Sequence, residues 1–168
     1  MQLNIKTAQI FLIFIAAALV IILPIYFYYA GSEDIYFISK ESLEIHPLPH
    51  FVNPLKEDTG RALDALEYLK KNPDNKDFFT EVPESISFES ISFENGSCNL
   101  VISFGIPDAA LGSFHESRML LTVFKTIKSI NPSVKTFRIK VEGENNPFNH
   151  ISTDFLMKLE NDNIIVTN

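Results

Sequence analysis

Ser85-Ile86-Ser87-Phe88-Glu89-Ser90-Ile91-Ser92-Phe93-Glu94-Asn95-Gly96-Ser97-Cys98-Asn99-Leu100-Val101-Ile102-Ser103-Phe104 contains two strands and the turn that joins them. Ile86/Phe88 and Ile91/Phe93 alternate with polar residues on the way in, and Cys98, Leu100 and Ile102 do so on the way out. That period of two marks strands buried on one face. Asn95-Gly96 is a two-residue hairpin signal, because both turn positions want positive φ. With such a turn Phe93 faces Cys98 and Ile91 faces Leu100, so apolar partners share a face. The alternation slips at Glu89-Ser90, which predicts a bulge. Cys98 falls on the apolar face and reads as a small buried hydrophobe rather than a reactive thiol.

Downstream, Ser113-Phe114-His115-Glu116 has the spacing of a capping box. The helix behind it is predicted to run to about Ile130, with Leu120, Val123, Phe124, Ile127 and Ile130 at core spacing and Asn131-Pro132 as its stop. Val134 to Val141 reads as a strand with Phe137, Ile139 and Val141 on one face. In the tail, Ser152-Thr153-Asp154 resembles a cap, Phe155, Leu156, Met157 and Leu159 are packing residues, and Ile164-Ile165-Val166 is a short strand. Upstream, Asp58 or Thr59 caps a helix to about Lys71, with Ala62, Leu63, Leu66 and Leu69 on one face. Asp74 to Glu84 reads as a loop. Asp34 to Ser39 is a strand, and Glu44 to Val52 is an edge strand or an extended segment, because Pro47 and Pro49 forbid a central strand. The order is strand, strand, helix, hairpin, helix, strand, tail. It predicts an α+β fold, a two-layer sandwich of a small mixed sheet with two main helices.

The beginning of the chain is different in kind. No charged side chain occurs from Thr7 to Ser32, and Ile10 to Tyr29 is nearly all apolar. A helix needs about 20 such residues to cross a hydrocarbon core of roughly 30 Å. Tyr26, Tyr28 and Tyr29 cluster at its downstream end, where rings with polar tips fit the headgroup layer. The competing reading is a cleaved signal peptide, which wants a shorter apolar core and a small-x-small site. Tyr28-Tyr29-Ala30 places a bulky Tyr where a small residue belongs, and Cys98, the single cysteine, is far from any lipid-attachment position. Lys6 lies upstream of the run and Glu33 and Asp34 downstream, so the positive side is expected to stay cytoplasmic. Expected are a cytoplasmic tip at 1–8, a transmembrane anchor in the lipid bilayer at 9–30, and an extracytoplasmic domain at 31–168, with 31–34 as a short polar link.

All 21 acidic residues and 13 of the 14 basic ones lie after residue 30, so that part carries about −8. The charge serves solubility. A domain without a Lys/Arg run is a poor partner for nucleic acid, whose binding rests on basic contacts to phosphate. About 138 residues are enough to bury a core without metal or disulfide support.

Several segments, in order, resemble the GerMN domain. Gly112-Ser113-Phe114-His115-Glu116 is similar to that family's small-residue turn with a Glu opening a helix, and Thr126-Ile127 to the Thr-Leu near the helix end. Val134-Lys135-Thr136-Phe137-Arg138-Ile139-Lys140-Val141-Glu142-Gly143 is similar to its "V-K-x-V-x-I-x-V-D-G" strand. His150-Ile151-Ser152-Thr153-Asp154-Phe155-Leu156 is placed like the family's His and acidic segment. Leu63 to Lys71 with Asn72-Pro73, Val82-Pro83, and Asp34-Ile35-Tyr36-Phe37 resemble its "L-L-x-G-P", "I-P-x-G-T" and "L-Y-F" segments. The chain departs from the pattern in Glu142 for Asp, in lacking a Gly between Lys71 and Pro73, and in a shorter loop before Gly112. The resemblance covers about residues 34–160. It implies an extracytoplasmic, membrane- or lipid-anchored bacterial module known from sporulation, germination and cell-wall-associated proteins. Some members resemble ring-building modules of envelope channels. No catalytic residues are attributed to the module.

Chemistry-bearing residues are scattered. His46 and His50 lie roughly 13 Å apart in an extended segment, too far to share a metal. Ser113 near His115 is better explained by helix capping than by a nucleophile and its base. His150 would meet Asp154 only if a helix began there. The expectation is a non-enzymatic module with no catalytic, cofactor-binding or metal-binding residues. Its partner would be another envelope protein or a second copy, met through Phe114, Glu116, Lys125 and His150 and through an edge strand. Peptidoglycan binding in support of a wall-modifying enzyme is the alternative, and an enzyme built on His115 and Glu116 a third reading.

Overall fold

A computed structural model describes residues 5–105, 112–143, 148 and 155–167. β4 (Ile86–Glu94) and β5 (Ser97–Phe104) form the expected hairpin. Phe93 pairs with Cys98 and Ile91 with Leu100, and the register shifts between Phe88 and Ser90, leaving Glu89 as the bulged residue. Asn95 and Gly96 have φ of 50° and 77°, the left-handed pair that the two-residue turn requires.

β5 pairs in parallel with β6 (Thr136–Glu142). Parallel neighbours need a long crossover, and α3 (Ser113–Ile130) provides it. Beyond β6 the sheet continues through β7 (Leu156–Glu160) and β8 (Asn163–Thr167), in the order β4-β5-β6-β7-β8. Leu156 to Leu159, expected only to pack, is therefore a strand as well. Its hairpin turns at Asn161-Asp162, both at positive φ, and Met157 is buried opposite Phe137.

A separate sheet has the order β2-β1-β3, so the strands divide between two sheets where one was expected. β1 (Ser32–Ser39) pairs along its length with β2 (Ile45–Phe51), whose two prolines sit on the outer edge as expected. β3 (Phe78–Phe79) lies in the stretch expected as loop and covers only Ile38 and Ser39 on the other side of β1. The rest of that side is met by α3. Thr126 Oγ1 accepts the Tyr36 N–H and Ser129 Oγ the Asp34 N–H, each at 3.1 Å. A backbone donor left unpaired inside a protein is costly, so two helix hydroxyls complete the ladder.

α2 (Asp58–Leu69) buries Ala62, Ala65, Leu66 and Leu69 and packs against α3, β1 and β4. Neither expected cap forms: Glu57 holds the cap position without a side-chain bond, and Asp58 instead pairs with Arg61. The capping box of α3 also fails. Gly112 is the cap, so Ser113 is the first helical residue and Glu116 falls one place too late for the reciprocal bond. One apolar core joins both sheets and both helices. Phe124 of α3 stacks on Phe137 of β6 with ring centroids 4.1 Å apart, and Phe37 of β1 meets Tyr68 of α2 edge-on at 5.9 Å. Burying one such ring is worth about 1.5–3 kcal/mol.

α1 (Ile5–Ala30) is continuous through Pro24. Its segment Gln9–Ala30 is long and apolar enough to cross a membrane, and none of it is buried against the domain. Residues 31–34, expected as a short polar link, are not a separate segment, because β1 begins at Ser32. Gly31 alone separates α1 from β1, its N–H donating to Phe27 O at 3.0 Å and its carbonyl accepting the Val52 N–H at 2.7 Å. A Cβ at Gly31 would lie 2.6 Å from both the Phe51 ring and the Val52 carbonyl, so only glycine fits.

Candidate interaction surface

Phe114, Arg118, Leu121 and Lys125 recur at helical spacing along one stripe of α3. They floor a groove of about 500 Å³. Leu43, Glu44 and Ile45, from the β1–β2 connection and the start of β2, form one wall, and Asp162 of the β7–β8 turn contributes at the other end. Two distant parts of the chain thus converge on one helix face, with apolar and charged groups interleaved.

Phe114 is 61% exposed, a large apolar ring left in water. Beneath it the Arg118 guanidinium lies 4.8 Å from the Phe114 ring centroid and 5.6 Å from that of Phe79. The ring faces attract the cation. Arg118 Nη2 is 2.9 Å from Glu81 Oε1, and His115 Nδ1 is 3.0 Å from the same oxygen. Burial pushes the Glu81 carboxyl pKa up, outweighing the opposite pull of Arg118 and His115. Among the described residues, Glu81 Oε2 and Arg118 Nε are buried without hydrogen-bond partners. At the far end Lys125 Nζ pairs with Asp162 Oδ1 at 2.6 Å and sits 5.4 Å from the Tyr36 ring centroid. Beyond Lys125 a second groove of about 330 Å³ runs between Tyr36, Lys128, Ser129, Pro132 and Leu159.

Of the residues singled out in the sequence, Phe114 and Lys125 both line this groove. Glu116 is corrected: it lies on the opposite side of α3, fully buried, and is no surface residue. The helix turn between Phe114 and Arg118 rotates it into the core. His150 and Asp154 lie outside the described residues. Arg118, Leu121, Glu81 and Asp162 were missed. The i, i+4, i+7, i+11 spacing from Phe114 would have found the first two; nothing local to Glu81 or Asp162 signals their place.

Other reactive types are engaged elsewhere. Cys98 is fully buried and its thiol is pushed up to about 12 by desolvation, which withholds the thiolate at neutral pH. His46 lies 3.7 Å from Glu44, and His50 stacks on Tyr68 with ring centroids 3.5 Å apart. Among the described residues no group of three or more His, Cys, Asp or Glu side chains is placed to hold a metal.

Fold and surface together define a small α+β module with an amphipathic groove along one helix. A family model described as "Germane: Sporulation and spore germination" matches residues 24–147, and the chain belongs to that family. The tandem GerMN domains of the sporulation protein GerM from Bacillus subtilis superpose with a TM-score of 0.54 at 19% identity, over 68% of this chain and 39% of that one. The first GerMN domain of the same protein superposes with a TM-score of 0.52 at 18% identity, over 73% of this chain and 95% of that one. This chain therefore spans well under half of the tandem structure and nearly all of the single domain. No curated protein gives a significant match. The GerMN resemblance read from Gly112–Glu116 and Val134–Gly143 is borne out.

Proposed function

We propose that the chain is a non-enzymatic protein-interaction module of the bacterial cell envelope, anchored in the cytoplasmic membrane by α1 with the domain on the outer side. The observation that carries this reading is the junction at Gly31. A helix of membrane-crossing length passes, without a linker, into a GerMN domain. Lys6 upstream and Glu33 and Asp34 downstream support an inward N-terminus. The α3 groove is the contact surface. An exposed aromatic beside partly buried Arg and Lys groups has the composition of protein-binding hot spots. Its occupant is a segment of another envelope protein or of a second copy, offering an apolar side chain to Phe114 and Leu121. The buried Cys98 thiol and a His115 held by Glu81 and flanked by Arg118 favour binding over catalysis.

A photo-crosslinking residue in place of Phe114 in membranes of the native host tests this. A defined adduct with one envelope protein, or a dimer, is expected, and no such adduct from the same residue at Glu94, on the outer end of β4. Adducts equal at the two positions would remove the groove from the account. Crosslinking to sedimented sacculi instead would move the reading to peptidoglycan binding.

A further inference from the structure

We propose that the turn 53–56 is a second membrane contact, seating Leu55 and Phe51 in the headgroup–acyl boundary of the bilayer that α1 crosses; the proposal rests on the reading of α1 as a membrane span.

The strand ladder locates the turn. Ser32 pairs with Phe51, and the Val52 N–H reaches the Gly31 carbonyl, so β2 runs back past the start of β1. Val52 is thus level with Gly31, and the turn 53–56 follows directly on the α1 side of that pairing. The Phe51 ring abuts Gly31, the residue at which the chain leaves α1. Leu55 is 78% exposed, more than any large apolar side chain from Gln9 to Ala30, and Phe51 is 49% exposed. Tyr26, Tyr28 and Tyr29 lie in the last turns of α1, just before Gly31. A single exposed leucine needs no explanation. Two exposed apolar side chains continuous with an aromatic belt at the end of an apolar helix form one surface of the kind that sits at a membrane interface.

The turn is also made to be desolvated. Asn53 Oδ1 accepts the Leu55 N–H at 3.0 Å and Asn53 O the Lys56 N–H at 3.2 Å, so backbone donors are satisfied within the turn. The nearby cations are paired, Lys56 with Asp64, and Arg61 with both Glu33 and Asp58, while the exposed Glu57 adds a negative charge beside the turn. With its cations engaged, the turn meets the apolar boundary and not anionic headgroups. Together with the Gly31 junction, this contact would hold the domain at one orientation to the bilayer.

The test uses the full chain in phosphatidylcholine vesicles, labelled with an environment-sensitive fluorophore at Leu55→Cys, at Ser42→Cys on the far β1–β2 turn, or at Ala18→Cys within α1. Cys98 is buried and stays unlabelled. Lipids carrying a spin label near the headgroup should quench the Leu55→Cys probe several-fold more than the Ser42→Cys probe, with no need for anionic lipid. Lipids labelled deep in the chain should quench the Ala18→Cys probe. If Ala18→Cys is quenched and Leu55→Cys behaves like Ser42→Cys, the second contact is wrong while the membrane span stands. If Ala18→Cys is not quenched, α1 is outside the bilayer and both fall. Leu55 is in water in the free domain, so its replacement leaves the core intact.

Discussion

The two sheets of this domain close themselves by different means. The five-stranded sheet is tied by local devices: an Asn95-Gly96 turn between β4 and β5, an Asn161-Asp162 turn between β7 and β8, and a ladder between neighbours. The three-stranded sheet depends on α3, because β3 covers two residues of β1 and hydroxyls of Thr126 and Ser129 supply the rest. The first adds its strands in chain order, with tight turns inside its two hairpins and the α3 crossover joining β5 to β6. The second joins groups 90 and 95 residues apart. α3 is thus shared, packing on Phe137 of one sheet and bonding the edge of the other, and it leaves one stripe free for the groove.

The strongest break of that comparison is Phe124→Ala. The ring is fully buried between α3 and β6, and its loss should cost about 3–5 kcal/mol. Because α3 serves both sheets, chemical denaturation should show one transition moved to lower denaturant. Two separated transitions would mean that the sheets are independent. Next comes Thr126→Val, which keeps the shape and removes the acceptor for the Tyr36 N–H. A loss of about 1–3 kcal/mol is expected, with faster hydrogen exchange at Tyr36. Thr122→Val is its control: that hydroxyl bonds only to Met119 O of its own helix, so the change should be small.

Gly96→Ala tests the local sheet. At φ +77° an alanine is strained, and its Cβ would lie 3.3 Å from Ser133 O. A cost of about 1–2 kcal/mol is expected, read as a lower midpoint with hairpin amides exchanging first. The smallest effect concerns pH. Burial against Tyr68 lowers the His50 pKa below its usual 6.5. Below pH 6.5 the unfolded chain binds a proton that folded His50 resists, so stability falls as pH falls, until the folded pKa is passed. His50→Phe should keep the stack and remove this acid-side loss, measured as a flatter midpoint-against-pH curve.

This division also explains what the sequence disclosed. The β4–β5 register, its bulge and its turn were legible because turn chemistry and alternation are local. So were the edge character of β2, from Pro47 and Pro49, and the apolar faces of α2 and α3. Both capping assignments failed because each helix begins one residue early, with Glu57 and Gly112 at the cap positions; Asp58 then pairs with Arg61 inside its own helix, and Glu116 is buried in the core. β3 carries no local signal in two residues. β7 was hidden by Leu156-Met157-Lys158-Leu159, whose pattern lacks clean alternation. Of the groove, Phe114 and Lys125 were legible as helix positions off the apolar core spacing. Arg118 was hidden in an i+4 stripe, and Glu81 and Asp162 arrive from other parts of the fold. The link expected at 31–34 vanished because polar residues there are strand residues, and Gly31 is pinned by Phe51 and Val52.

The central claim, a GerMN domain joined without a linker to a membrane-crossing helix, is tested most directly by thiol labelling in intact cells. Cysteine is placed at Gln2 or at Glu41, and a membrane-impermeant maleimide is added before and after permeabilisation. The account predicts that Glu41→Cys is labelled in intact cells, that Gln2→Cys is labelled only after permeabilisation, and that both stay with the membrane through an alkaline wash. Labelling with the opposite order, or release of the intact chain into the soluble fraction, would contradict it.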